Sequence, residues 1–214
     1  TFGSHLLIAT GRTPNTDSLN LSTAGIKTTS RGHIVVSPNL QTNVPGVYAL
    51  GDCRGGPAFT HVSYDDFRII RTNIIEKNAQ PTSTAQREGQ IPYVVYTDPQ
   101  LGHVGLHEAE AREKFPDKKI QIATMPMSYV ARAVETAETR GLMKAVVDGD
   151  SGAILGFTCL GIEGGEIMSL VQVAMMGGLP YWKLRDAVFA HPTLAESLNN
   201  LWGYLKYSRR SQLR

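Results

Sequence analysis

Two apolar-rich runs, 142–148 and 153–160, flank the four turn-forming residues Gly149, Asp150, Ser151 and Gly152. This spacing predicts a β-hairpin, and so commits the second half of the chain to an antiparallel sheet. The same four residues spell the surroundings of a serine-protease nucleophile. A nucleophilic serine needs a base and an orienting acid held by the fold, whereas turn chemistry already accounts for these residues; Ser151 is read as part of a turn. Further strands are expected at 92–96 and 120–125, a short charged helix at 107–115 ahead of Pro116, and helices at 166–176, 181–189 and 193–207. Strands followed by helices predict an α+β domain.

The first part has a different texture. An apolar run at 5–10 stops at Gly11-Arg12-Thr13-Pro14 and reads as a buried strand with a turn after it. Short strand candidates follow at 34–36 and 47–50. Three short strands do not make a core, so this region is expected to belong to a sheet whose other strands lie upstream of residue 1. From Thr60 the residues Val62, Phe67, Ile70, Ile74 and Ile75 recur at helical spacing. The polar stretch 79–90 reads as a linker, which divides the chain into 1–86 and 87–214.

Composition narrows the function. Twenty-one basic against nineteen acidic residues give a formal charge of +2, too little to argue for a nucleic-acid partner. The two cysteines, Cys53 and Cys159, exclude a disulfide scaffold and every multi-cysteine zinc motif; a reducing cytoplasm is the expected setting. The apolar stretch 167–176 falls short of the ~20 residues a membrane span needs. His103 and His107 are four apart, but Gly102 and Gly105 keep them off one continuous helix, so no metal site is expected.

Two constellations can carry chemistry. Gly51 and Asp52 end a strand candidate, and a helix starts near Thr60. A glycine there admits a ligand to the backbone, a carboxylate can accept sugar hydroxyls, and a helix start offers N–H groups to an electron-rich acceptor. Gly-Asp is also an ordinary turn. In the second, Pro192 keeps His191 out of the helix that follows, and Thr193 with Glu196 has capping-box spacing. Glu196 can serve that cap, or reach a ring nitrogen of His191 and orient it as a general acid/base; spacing leaves both open. Helices 166–176 and 193–207 carry more apolar residues (Ile167, Val171, Val173, Leu198, Leu201 and Trp202 among them) than one small sheet should cover, which predicts an interface and a homodimer. The basic segment 208–214 reads as a solvated end.

Taken in order, ATGRTPNT (9–16), TNVPGVYALGD (42–52), the helix after it and AHPTLAE (190–196) resemble the C-terminal half of the class I pyridine nucleotide-disulfide oxidoreductases, a family that includes dihydrolipoamide dehydrogenase and mercuric reductase. The resemblance implies an α+β dimerisation domain preceded by the C-terminal segment of an FAD-binding α/β domain. It implies that Asp52 binds the ribityl chain of FAD, that Ala58, Phe59, Thr60 and His61 lead into the helix facing the flavin, and that Gly11 lies near bound NAD(P)H. It further implies that His191 and Glu196 form the acid/base pair reaching the dithiol of the other subunit. The glycine-rich FAD motif and the redox cysteine pair belong upstream, so the chain is expected to be an inactive fragment of an enzyme passing electrons to a disulfide or related small-molecule acceptor. Segment 125–144 is similar to that of mercuric reductases, but SQLR at 211–214 replaces their terminal cysteine pair, which argues against mercury as substrate. The alternative is a stand-alone dimerisation module without catalysis.

Overall fold

A computed structural model describes residues 2–207, so the basic segment 208–214 lies outside the described residues. The chain divides into two compact units, Thr1–Glu88 and Gly89–Arg214.

The first unit is built mostly of turns. Residues 5–10 are not a buried strand: they form no ladder, and Leu6, Leu7 and Ile8 stand in solvent. A strand needs neighbours for its N–H and C=O groups, and among the described residues none pairs with this run. The candidates at 34–36 and 47–50 shrink to single bridges, Thr28 with Ile34 and Gln41 with Tyr48. Turn-rich sequence on both sides stops either ladder from growing. Backbone bonds knit the loops instead, with the Ile34 N–H donating to the Cys53 carbonyl (2.8 Å) and the Ala49 N–H to that of Leu40 (3.0 Å). The helix α1 (Thr60–Ile70) forms where its apolar spacing predicts, buries Val62 and Ile69, and continues as a π-helical turn, Arg71–Ile75. The supposed linker is not free chain throughout: Thr84–Arg87 makes a 3-10 turn, and Arg87 bonds Asp65 and Asp66 of α1.

The second unit is a six-stranded antiparallel sheet in the order β1-β2-β5-β4-β3-β6. Its strands are β1 (Tyr93–Val95), β2 (Gln100–Gly105), β3 (Ile120–Pro126), β4 (Leu142–Asp148), β5 (Ile154–Gly161) and β6 (Lys206–Tyr207). The helices are α2 (Glu108–Lys114), α3 (Ala131–Glu135), α4 (Gly164–Met176), α5 (Tyr181–Arg185) and α6 (Ser197–Leu201). The hairpin β4–β5 closes through the expected turn, in which the Asp148 carboxylate accepts the Asp150 N–H (3.1 Å). The Ser151 hydroxyl accepts the Ala153 N–H at 3.3 Å, a turn role.

Strand β2 is unannounced in the sequence because its glycines hide the alternation. Gly102 is there for space, since a Cβ would lie 2.5 Å from the Gly164 carbonyl where α4 crosses the sheet. The apolar surplus of α4 and α6 is mostly internal. Ile167, Val171, Leu198, Leu201 and Trp202 pack in one core with Phe157, Met143 and Val104, while Val173 remains 69% exposed, with Met176 and Leu179 also outward. A six-stranded sheet covers more than the smaller sheet expected from sequence.

Helices 181–189 and 193–207 are shorter than predicted. The first stops at Arg185, and the second begins only at Ser197 because residues 191–193 turn before it. No helix among the described residues is long and apolar enough to cross a membrane.

Candidate functional site

In the first unit, Gly51–Arg54 form a 3-10 turn carrying Asp52 at the mouth of a cavity of about 450 Å³. Its wall includes Arg12, Thr13, His33, Asp52, Cys53 and Ala58. The Asp52 carboxylate is 54% exposed and lies 3.6 Å from Arg12 Nη1, which also donates to the Ala58 carbonyl at 3.4 Å. An outward carboxylate of this kind can accept hydroxyls. The structure thus brings residues of ATGRTPNT and of the Gly-Asp turn to one cavity. Arg12, which ties the two, is visible only in three dimensions.

Of the other residues expected here, Ala58 lines the cavity, and Gly11 precedes Arg12 in exposed chain. Phe59 stands at the N-cap of α1 without a side-chain cap, and Thr60 opens the helix. The rings of Phe59 and His61 stack with centroids 5.1 Å apart.

Beneath the turn lies a residue that sequence gives no reason to single out. Asp66 of α1 is fully buried; its carboxylate accepts the Gly51 N–H (2.8 Å), Arg54 Nε (2.6 Å) and Nη2 (3.2 Å), and Arg87 Nη2. Burial pushes the Asp66 carboxyl up, but the hydrogen bonds from Arg54, Arg87 and Gly51 outweigh it and hold the group below its ordinary value of 3.8. A buried charge with every oxygen engaged fixes its surroundings, and here it fixes the turn that presents Asp52.

In the second unit, the peptide bond from His191 to Pro192 is cis. Its Nδ1 lies 2.8 and 3.0 Å from the Glu196 carboxylate oxygens, and the histidine side chain is 65% exposed. Half of the capping box also forms, since the Thr193 hydroxyl accepts the Glu196 N–H at 3.2 Å. The carboxylate itself turns to the imidazole. The two readings of Glu196 left open by spacing are therefore divided between its backbone and its side chain. With Nδ1 engaged, Nε2 is the nitrogen left for chemistry.

His103 and His107 do meet, though not on one helix: one lies on β2 and the other caps α2, with ring centroids 3.8 Å apart. His103 Nδ1 bonds Thr158 Oγ1 (2.7 Å) and Nε2 bonds the Gly105 carbonyl (3.0 Å), so both nitrogens are spent. Burial and the neighbouring His107 lower its pKa below 6.5.

Over residues 91–201 the chain matches the pyridine nucleotide-disulphide oxidoreductase dimerisation domain, and over residues 3–66 the pyridine nucleotide-disulphide oxidoreductase domain. It belongs to that family. Among its relatives is a probable pyridine nucleotide-disulfide oxidoreductase, RclA of Escherichia coli, 40% identical over 201 residues and covering 94% of this chain and 44% of the relative. A mercuric reductase of Shigella flexneri is 35% identical over 90% of the chain and 33% of the relative, and a dihydrolipoyl dehydrogenase of Thermus scotoductus is 34% identical over 90% and 40%. A solved structure, described as an HOCl-induced flavoprotein disulfide reductase, RclA from Escherichia coli, superposes with a TM-score of 0.84 at 39% identity. It covers 91% of this chain and 44% of that one. The chain thus spans less than half the length of these relatives. Members of this oxidoreductase family depend on FAD and NAD(P)H.

Proposed function

We propose that this chain forms the C-terminal part of a cytoplasmic, homodimeric FAD-dependent oxidoreductase that moves reducing equivalents from NAD(P)H to a disulfide or a related acceptor such as a metal. The observation that carries the reading is the His191–Glu196 pair, held at 2.8 Å on an exposed turn of the dimerisation domain.

The residues present fit the sugar and flavin end of FAD. Asp52 offers an outward carboxylate at an open cavity, and α1 starts nearby without a side-chain cap. Bound there, FAD would supply the redox centre between NAD(P)H and the acceptor; Asp52 would hold a ribityl hydroxyl, and Gly11 would lie near the nicotinamide nucleotide. Glu196 fixes Nδ1 of His191 and stabilises the imidazolium, so that Nε2 delivers a proton to the thiolate released when the acceptor disulfide opens, and recovers one on the return.

Neither a closely spaced cysteine pair nor a GxGxxG run occurs in the 214 residues. The isolated chain is therefore expected to be inactive and to hold no FAD tightly, because the pyrophosphate of a dinucleotide rests on such a glycine-rich helix start.

The test is a full-length enzyme in which these residues replace the matching part of Escherichia coli RclA. There His191→Ala should slow the acceptor half-reaction by about 10²–10⁴-fold and leave flavin reduction by NAD(P)H largely intact. Stopped-flow traces with both half-reactions equally impaired would assign His191 a structural role and refute the proposal.

A further inference from the structure

The pair His191–Glu196 spans two elements, a loop after α5 and the start of α6, and one side chain ties them together. The amide nitrogen of Asn199, on α6, lies 2.9 Å from the Leu184 carbonyl, 3.1 Å from that of Arg185 and 2.9 Å from that of Ala187. Its own backbone N–H donates to the Glu196 carbonyl at 2.9 Å.

The carbonyls that close a short helix have no intrahelical donors beyond them and must find partners elsewhere. Here a single NH₂ group, with two protons, reaches three oxygens, those of Leu184 and Arg185 at the end of α5 and that of Ala187 just beyond it; the Leu184 carbonyl also accepts the Ala187 N–H at 3.4 Å. Ala187 is the last of them, and the chain from it runs through Phe189, packed on the core, to Ala190, whose carbonyl accepts the Thr193 hydroxyl at 2.8 Å. His191 comes next. Asn199 thereby anchors the stem of the histidine loop to the same turn of helix that carries Glu196.

We infer that Asn199 is the positioning residue that sets the register between His191 and Glu196, holding the loop stem at a fixed distance from α6. The inference rests on the acid/base reading of the pair, since it concerns which ring nitrogen carries the proton. With Glu196 as acceptor the neutral ring takes the Nδ1–H form and presents the Nε2 lone pair outward. A loop released from α6 loses that partner, and the imidazole reverts to the Nε2–H form that a free ring favours.

The discriminating variant is Asn199→Asp, which keeps the shape and removes both donors, turning carboxylate oxygens toward three carbonyl oxygens. The readout is the ring ¹⁵N shifts of His191 in the 214-residue chain, at a pH about two units above the ordinary imidazole value of about 6.5. His103 serves as the internal control, because its ring nitrogens are fixed inside the sheet by Thr158 and Gly105. The expected result is inversion of His191 from mainly Nδ1–H to mainly Nε2–H with the His103 signals unchanged.

A His191 spectrum identical to that of the parent chain overturns the assignment. Should Asn199→Asp lose the His103 signals, Asn199→Ala, which adds no charge, decides by the same criterion. Glu196→Ala, which leaves no acceptor for Nδ1–H, separates the two levels: if it leaves the His191 tautomer unchanged, the pairing itself fails, whereas inversion by Glu196→Ala alone, with none in the Asn199 variants, refutes only the positioning role.

Discussion

Replacing Asp66 by asparagine removes one charge from the point where Arg54, Arg87 and the Gly51 N–H converge. The aspartate side chain is fully buried, and the two arginine side chains are 14% and 16% exposed. Deleting one partner of a buried ion pair costs about 3–5 kcal/mol. Two features place the variant at the low end: the asparagine oxygen can still accept the Gly51 N–H, and Arg87 keeps its bond to Asp65. We expect a loss of about 3 kcal/mol, or about 1–3 M in a urea midpoint for an m-value of about 1–3 kcal/mol/M.

Amide signals of Gly51 and Val62 report on this unit, and the fluorescence of Trp182 and Trp202 reports on the other. The sign of the pH dependence follows from the carboxyl being held below its unfolded value. Its contribution is complete above about pH 4 and is lost as pH falls through the folded pKa. The gap between parent and variant should therefore narrow in acid. A difference under about 0.5 kcal/mol, the usual range for a surface change, or one that widens in acid, would refute the reasoning.

At Gly152 a Cβ would sit 1.9 Å from the Trp182 ring at a φ of +71°, so Gly152→Ala should cost at least about 2 kcal/mol, seen as an early Trp182 fluorescence transition. Cys159 is buried and its thiol is pushed up to about 12, whereas Cys53 is half-exposed; iodoacetamide at neutral pH should label Cys53 first and Cys159 only after unfolding, as mass spectrometry will show. The exposed Val173, Met176 and Leu179 should be covered in a homodimer, and sedimentation that finds only monomer at micromolar concentration would count against it.

How far the sequence discloses this molecule depends on the range of the interaction. The hairpin β4–β5 and helix α1 are legible because turn residues and apolar spacing are local. Strand β2 escapes because Gly102 and Gly105 serve the close passage of α4 and β5, a fact of packing. The run at 5–10 misleads, since apolar character marks a strand only when a partner lies beside it. Asp52, His191 and Glu196 stand out through their neighbours in the chain. Arg12, Asp66 and Asn199 do not, because their partners are 40–46, 12–21 and 12–15 residues away.

Strand β1 bounds the sheet with only three residues. Pro92 precedes it and Pro99 follows shortly after, and neither has an N–H to give. That rim offers too short a row of backbone groups for another chain to dock as an added strand. Self-association that continued the sheet there would be poorly templated.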